Sequence, residues 1–201
     1  MLIDCARAMM NRPLDDLQEH YRRALREGDT AARYCSLSTV ERGQPCSRTL
    51  VLREISAEGP LIFINDRSPK WSQLMSGKSE LLLFWPSQMR QYRLRGDWRL
   101  LSHEQMSGHW QNKPEAAKLL DHYYRRLQAQ SSELESERRL REGLAALREE
   151  FGGDIPFADN ARGLRLHVNE LEVWRAADDG LHPRQRYWQQ DGQWHTQLLV
   201  P

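Results

Sequence analysis

Between residues 91 and 101 the chain alternates almost without a break. Tyr92, Leu94, Trp98 and Leu100 fall on one side, and Gln91, Arg93, Arg95 and Arg99 on the other. A period of two makes a strand with one packed face and one polar face, and excludes a helix over the same residues. Gly96-Asp97 interrupts the run and predicts a bulge. Similar short runs lie on both sides. Residues 34–40 and 46–54 read as strands joined across 41–45, and 61–65 as a third entered from Gly59-Pro60. Residues 80–85 are nearly all apolar, as for a strand buried on both faces, and Pro86 ends them. Residues 163–168, 170–176, 184–190 and 194–200 follow, with Asp179-Gly180 and Asp191-Gly192 as hairpin turn signals. Strands at this spacing without βαβ alternation predict a mainly β fold, an antiparallel barrel or sandwich with flanking helices.

The helices are marked by their ends. Residues 13–28 carry Pro13, Asp15 and Asp16 at the start, Arg22, Arg23 and Arg26 near the finish, and Gly28 as a stop. Ser68-Pro69-Lys70 opens a short helix, and Ser102 with Gln105 forms a capping-box pattern. Residues 115–150 are helical, broken at Gln130-Ser131-Ser132 and stopped by Gly152-Gly153. The expectation is one domain over residues 1–201, with an N-terminal helix at 13–28 and a helical insertion at 103–150.

Several function classes drop out. A net charge of +1 gives no global attraction to nucleic acid or an anionic membrane. The apolar run at the N-terminus is broken by Asp4 and Arg7, which is not a signal peptide, and no stretch nears the roughly 20 apolar residues of a membrane span. Cys5, Cys35 and Cys46 are odd in number and lack metal-like spacing, so reduced thiols in a cytoplasmic setting are expected. Gly77-Lys78-Ser79 ends like a P-loop, but Ser72 stands where the first glycine belongs. The seven histidines show no ligand spacing, and no metal is expected.

Three polar clusters remain beside the strands: Ser47 to Arg53, Asn65 to Lys70, and Arg90 to Arg93. Strand parity puts Arg48 and Arg53 on opposite faces, so they are not decoration of one wet face. Ser68 and Lys70 at a helix start offer a hydroxyl, an ammonium and backbone N–H groups, which suit a phosphate. On chemistry alone this is an anion site on a β-barrel, or simply a capped helix with a solvated lysine.

Ser-Arg-Thr-Leu-Val-Leu-Arg at 47–53, Leu-Ile-Phe-Ile-Asn…Ser-Pro-Lys at 61–70, Leu-Leu-Phe-Trp-Pro at 82–86 and Arg-Gln-Tyr-Arg-Leu-Arg-Gly at 90–96 occur in the order of the pyridoxine/pyridoxamine 5'-phosphate oxidase family, which this chain resembles from about residue 30 onward. Leu171-Glu172-Val173-Trp174 and the segment from Leu181-His182-Pro183-Arg184 to Pro201 also fit. The resemblance implies an antiparallel split β-barrel, a homodimer and FMN held at the subunit interface. It implies FMN contacts from Arg48, Thr49, Leu50, Val51, Arg53, Asn65, Ser68, Lys70, Gln91, Gln130, Ser131, Trp174 and Arg184. It places substrate near Arg53, His109, Lys113 and His182, with His182 and Arg184 closest to the chemistry.

The chain also departs from the family pattern. Pro69 replaces the arginine before Lys70, with Arg67 nearby as a substitute. Among the vitamer-binding positions Arg53 replaces lysine, His109 tyrosine, Lys113 arginine, Ala117 serine and Gly180 arginine. Exchanging lysine and arginine keeps charge but not fork geometry. The expectation is therefore an FMN-dependent oxidoreductase acting on an unidentified small molecule. The alternatives are a genuine pyridoxamine/pyridoxine 5'-phosphate oxidase and a flavin-binding protein without turnover.

Overall fold

The computed structural model describes residues 13–201. The readings of Cys5 and of the N-terminal segment lie outside them.

Helix α1 (Pro13–Arg26) buries Leu17, Tyr21 and Ala24 along one stripe, with acidic residues in its first turn and basic ones in its last. It closes before Gly28, whose φ is 73°. Strands β1 (Tyr34–Glu41) and β2 (Gln44–Ser56) follow. Their connection is tighter than the five residues expected. Arg42 and Gly43 both take positive φ, 49° and 80°, and Glu41 pairs directly with Gln44. Two left-handed residues match the twist of the flanking strands, so the ladder runs to the turn.

The chain continues through β3 (Gly59–Asn65), α2 (Pro69–Met75), β4 (Ser79–Trp85) and β5 (Arg90–Leu100). Three helices come next, α3 (His103–Gln111), α4 (Glu115–Arg126) and α5 (Glu137–Phe151), and then β6 (Ala161–Arg175), β7 (Arg184–Gln190) and β8 (Gln193–Leu199). The sheet has 8 strands in the order β3-β2-β1-β4-β5-β6-β7-β8. A further β3–β6 pairing closes the first six strands of that order into an antiparallel barrel. No helix among the described residues is long and apolar enough to cross a membrane.

Two compact units make up the chain. The first, among the described residues 13–62, 77–99 and 165–201, holds most of the barrel and α1. Its interior is Leu37, Leu52, Leu81, Leu83, Trp85, Tyr92, Leu94, Leu166 and Leu171 with the buried stripe of α1. The second, residues 63–76 and 100–164, packs α3, α4 and α5 around Met106, Trp110, Leu119, Tyr123 and Leu147. Ser102 caps α3, with its hydroxyl on the Gln105 amide and the Gln105 side chain on its own amide, the reciprocal pattern read from sequence.

Three strand readings need correction. β4 is buried on one face only: Leu81, Leu83 and Trp85 point inward, while Phe84 is 41% exposed. Residues 163–168 and 170–176 are one strand, β6. Its buried positions change from even numbers (Leu164, Leu166, Val168) to odd (Leu171) across Asn169, and one extra residue there makes two runs of a single strand. The Asp179-Gly180 signal is met by an antiparallel β6–β7 hairpin, connected by the loop from Ala176 to Pro183. β5 keeps its alternation through Gly96-Asp97. Gly96 is there because a Cβ would stand 2.0 Å from the His167 carbonyl oxygen.

Candidate functional site

In the barrel unit, strand pairing decides which side chains share a face. Leu50, Leu52 and Arg48 share parity and turn toward the interior of β2, while Thr49, Val51 and Arg53 share the outer face. The Arg48 guanidinium is tied to its own hairpin: Nη1 donates to Thr39 Oγ1 at 2.6 Å, Cys46 O at 3.1 Å and Leu37 O at 3.4 Å. On the outer face Val51 stands opposite Tyr34, Thr49 opposite Ser36, and Ser36 opposite Leu82. Gln91 pairs with Phe84, and Trp174 pairs with Arg184.

This outer face carries a ladder of charges. Arg93 binds Glu80 and reaches Glu172, while Arg95 bridges Glu80 and Glu170. Arg184 donates to Glu172 Oε1 from Nε at 3.0 Å and Nη2 at 2.8 Å, and Arg186 Nε donates to Glu170 at 3.1 Å. Burial pushes the Glu80 carboxyl up, but the Arg93 hydrogen bond and the charges of Arg93 and Arg95 outweigh it and hold it below 4.5. The same hydrogen bond raises Arg93. A cavity of about 640 Å³ borders the ladder, lined also by Thr39, Lys78 and Asp97.

The loop before β7 positions His182. Its φ is 39°, an uncommon conformation for a residue with a side chain. Its Nδ1 accepts the Ala177 N–H at 3.2 Å, which puts the proton of the neutral ring on Nε2. The ring lies 5.3 Å from that of Trp174. Trp174, His182 and Arg184, from two motifs of the sequence reading, are thus neighbours.

In the helical unit Lys70 Nζ donates to Ser68 Oγ and, at 3.4 Å, to Gln130 Oε1. The next residue, Ser131, takes a positive φ of 68°. A hydroxyl, an ammonium and a carboxamide from segments 60 residues apart therefore meet. Asn65 is buried, and its Oδ1 accepts the Arg67 N–H at 2.9 Å while its Nδ2 donates to Asp121 Oδ1 at 3.0 Å. Lys113 forms an ion pair with the other Asp121 oxygen. His109 packs edge-on against Phe63 at 5.1 Å. The sequence reading missed Glu172 and Asp121. Glu172 shares parity with Trp174, a signal within the same motif. Asp121 gave none, since a helical aspartate shows its burial only once the helices pack.

Residues 14–102 match the family model described as pyridoxamine 5'-phosphate oxidase, FMN-binding domain. A pyridoxine/pyridoxamine 5'-phosphate oxidase of Deinococcus deserti is 32% identical over 193 residues, covering 94% of this chain and 89% of that one. This chain belongs to the pyridoxine/pyridoxamine 5'-phosphate oxidase family. A Legionella pneumophila protein of the same name is 29% identical over 168 residues, 82% of this chain and 76% of that one. Among solved structures, PhzG from Burkholderia lata 383, in complex with tetrahydrophenazine-1-carboxylic acid, superposes with a TM-score of 0.85 at 25% identity, covering 94% and 93% of the two chains. A pyridoxamine 5'-phosphate oxidase-related, FMN binding protein from Nostoc punctiforme shares the fold, with a TM-score of 0.71 at 22% identity over 96% of this chain and all of the other. The barrel is thus the split barrel of this oxidase family.

Proposed function

We propose that this family member binds FMN and acts as an FMN-dependent oxidoreductase on a small molecule, as a homodimer. The observation that carries the reading is the meeting of Ser68, Lys70 and Gln130. A dianionic phosphate asks for a cation and hydrogen-bond donors at one place, and this set supplies both. Taken by itself, the outer sheet face of the barrel unit has the character a flavin ring asks for: Val51 gives an apolar wall, and Thr49, Gln91 and Arg184 give polar groups. When bound, FMN supplies a two-electron acceptor. The chain's own residues bind and orient. Glu172 fixes the Arg184 fork, and His182 holds its ring proton at Nε2, facing away from the Ala177 amide and available to a substrate.

A second copy of the chain is supported by apolar side chains on the outer face. Tyr34, Val51 and Phe84 are 48%, 45% and 41% exposed, and burying such rings and branched chains favours association. A cytosolic setting is part of the proposal; burial pushes the Cys35 thiol up to about 12 and so keeps it unreactive.

The substrate is read as something other than pyridoxamine phosphate. Ala117 and Gly180 offer no polar side chain where the family's vitamer ligands stand, and PhzG holds tetrahydrophenazine-1-carboxylic acid in the same fold. A partially reduced cyclic carboxylic acid is the class to screen first. Absorption spectra of purified protein with and without added FMN test the cofactor. Paired flavin bands that stay with the protein through desalting are expected, and free flavin alone at saturating FMN rejects the reading. Oxygen-dependent conversion of pyridoxamine phosphate to pyridoxal phosphate with peroxide would restore the vitamer oxidase alternative.

A further inference from the structure

The helical unit buries an ion pair that the oxidoreductase reading does not use. Lys113 and Asp121 contact each other with side chains only 9% and 8% exposed. Asp121 is also the hub of two routes into the turn after β3. Through Oδ1 it holds the Asn65 amide, whose own oxygen caps the Arg67 N–H. Through its backbone carbonyl it accepts from Asn160 Nδ2 at 2.8 Å, and the Asn160 carbonyl accepts the Asp66 N–H at 2.9 Å. The Asn65 carbonyl in turn accepts the Ser68 N–H at 3.0 Å. Three successive amides of this turn are thus fixed by groups anchored on one carboxylate residue of α4, and the turn ends in Ser68 and Lys70.

We infer that the Lys113–Asp121 pair is a positioning device for the turn that carries Ser68 and Lys70, and that Lys113 does not hold substrate. The charge of Lys113 is already matched, at a place almost closed to solvent, and a substrate anion would have to displace Asp121 and strand it without a partner. Lys113 also lies 5.1 Å over the Trp110 ring, which fixes its position further. Asp121 is a positioning residue: it orients Asn65, and Asn65 orients the turn. The link to cofactor rests on the proposed role of Ser68 and Lys70. The link to the turn does not.

The test is a double-mutant cycle with Lys113→Met and Asp121→Asn, read by thermal unfolding, by hydrogen–deuterium exchange over residues 65–70 and by FMN affinity. Each single variant leaves one buried charge unmatched. Its Tm is expected to fall by about 10 °C, and exchange at the Arg67 and Ser68 amides, which are held through Asn65, to rise more than at Asp66, which is held through the Asp121 backbone carbonyl. The double variant, with neither charge, is expected to recover more than half of the Tm loss and to slow that exchange again. FMN dissociation constants should follow the exchange, rising about tenfold in the singles and partly recovering in the double. Should a single variant fail to fold, Lys113→Arg, which keeps the charge, must retain slow exchange. A Lys113→Met variant with wild-type Tm and wild-type exchange over 65–70 overturns the inference. If wild-type protein takes up no FMN, the cofactor proposal fails by itself, and Tm and exchange still decide this one.

Discussion

Arg93 grips Glu80 with two nitrogens, Nε on Oε1 at 2.9 Å and Nη2 on Oε2 at 3.0 Å, and its third reaches Glu172 at 3.4 Å. A two-point grip fixes the guanidinium plane, and Glu80 holds strand β4 to β5 through side chains as well as backbone. Because the folded state holds the Glu80 carboxyl below its ordinary 4.5, the stabilisation is fully present above that value and is lost as pH falls through the lower folded one. The stability difference between wild type and Glu80→Gln, measured by urea unfolding, is expected to shrink as pH is taken from about 5 to about 3. A difference that stays constant over that range contradicts the assignment.

Glu172 serves both Arg93 and Arg184 and is 13% exposed on its side chain. Glu172→Gln removes the charge but keeps the shape, leaving two arginines with weaker partners. The expected loss is about 1 to 3 kcal/mol in denaturant titration. Arg184 is also freed to move, so any step that needs its fork should slow by more than the stability loss explains.

Gly96 and Gly192 separate close approach from backbone preference. At Gly96 an added Cβ would meet the His167 carbonyl oxygen at 2.0 Å, whereas at Gly192, with φ 75°, it would meet nothing within 4 Å. Gly96→Ala is expected to cost about 3 kcal/mol or more, because strands must separate. Gly192→Ala is expected to cost about 1 kcal/mol, the left-handed penalty alone. Equal losses in parallel thermal melts would show that β5 and β6 leave room for a methyl group at Gly96.

The cap on α3 gives a smaller, local effect. Ser102→Ala removes the acceptor for the Gln105 amide at 3.2 Å and is expected to cost about 1 kcal/mol. Helical content should drop little.

What the sequence revealed follows the range of each interaction. The Ser102–Gln105 box and the Asp191-Gly192 turn were readable because every atom involved lies within a few residues. The apolar alternation of β5 was readable for the same reason as far as Trp98, whereas Leu100, read on the packed side, is 55% exposed. β4 was misread because Leu82 and Phe84 are as apolar as Leu81 and Leu83, and hydrophobicity does not say which face meets the core. The Glu80–Arg93–Glu172–Arg184 ladder joins four strands, and only register reveals it. The family motifs located Lys70 and Gln130 separately. Their contact across 60 residues, like the burial of Asp121, needed the fold.

Lys70 provides the sharpest separation of phosphate from ring. If its ammonium, set between Ser68 Oγ and Gln130 Oε1, meets the cofactor phosphate, its loss should be felt by FMN and hardly by riboflavin, which has the same ring and ribityl chain without the phosphate. Lys70→Met keeps most of the side-chain volume and removes the charge. A charged hydrogen bond of about 1.5 to 3 kcal/mol corresponds to an affinity loss of about 10- to 100-fold for FMN. Flavin fluorescence titration measures both ligands under the same conditions. Added salt should weaken FMN binding to wild type more than to the variant, because part of the Coulomb attraction is already gone in the latter. A variant that loses riboflavin and FMN in equal proportion would place Lys70 against the ring or in the fold, and would remove the phosphate from this corner of the protein.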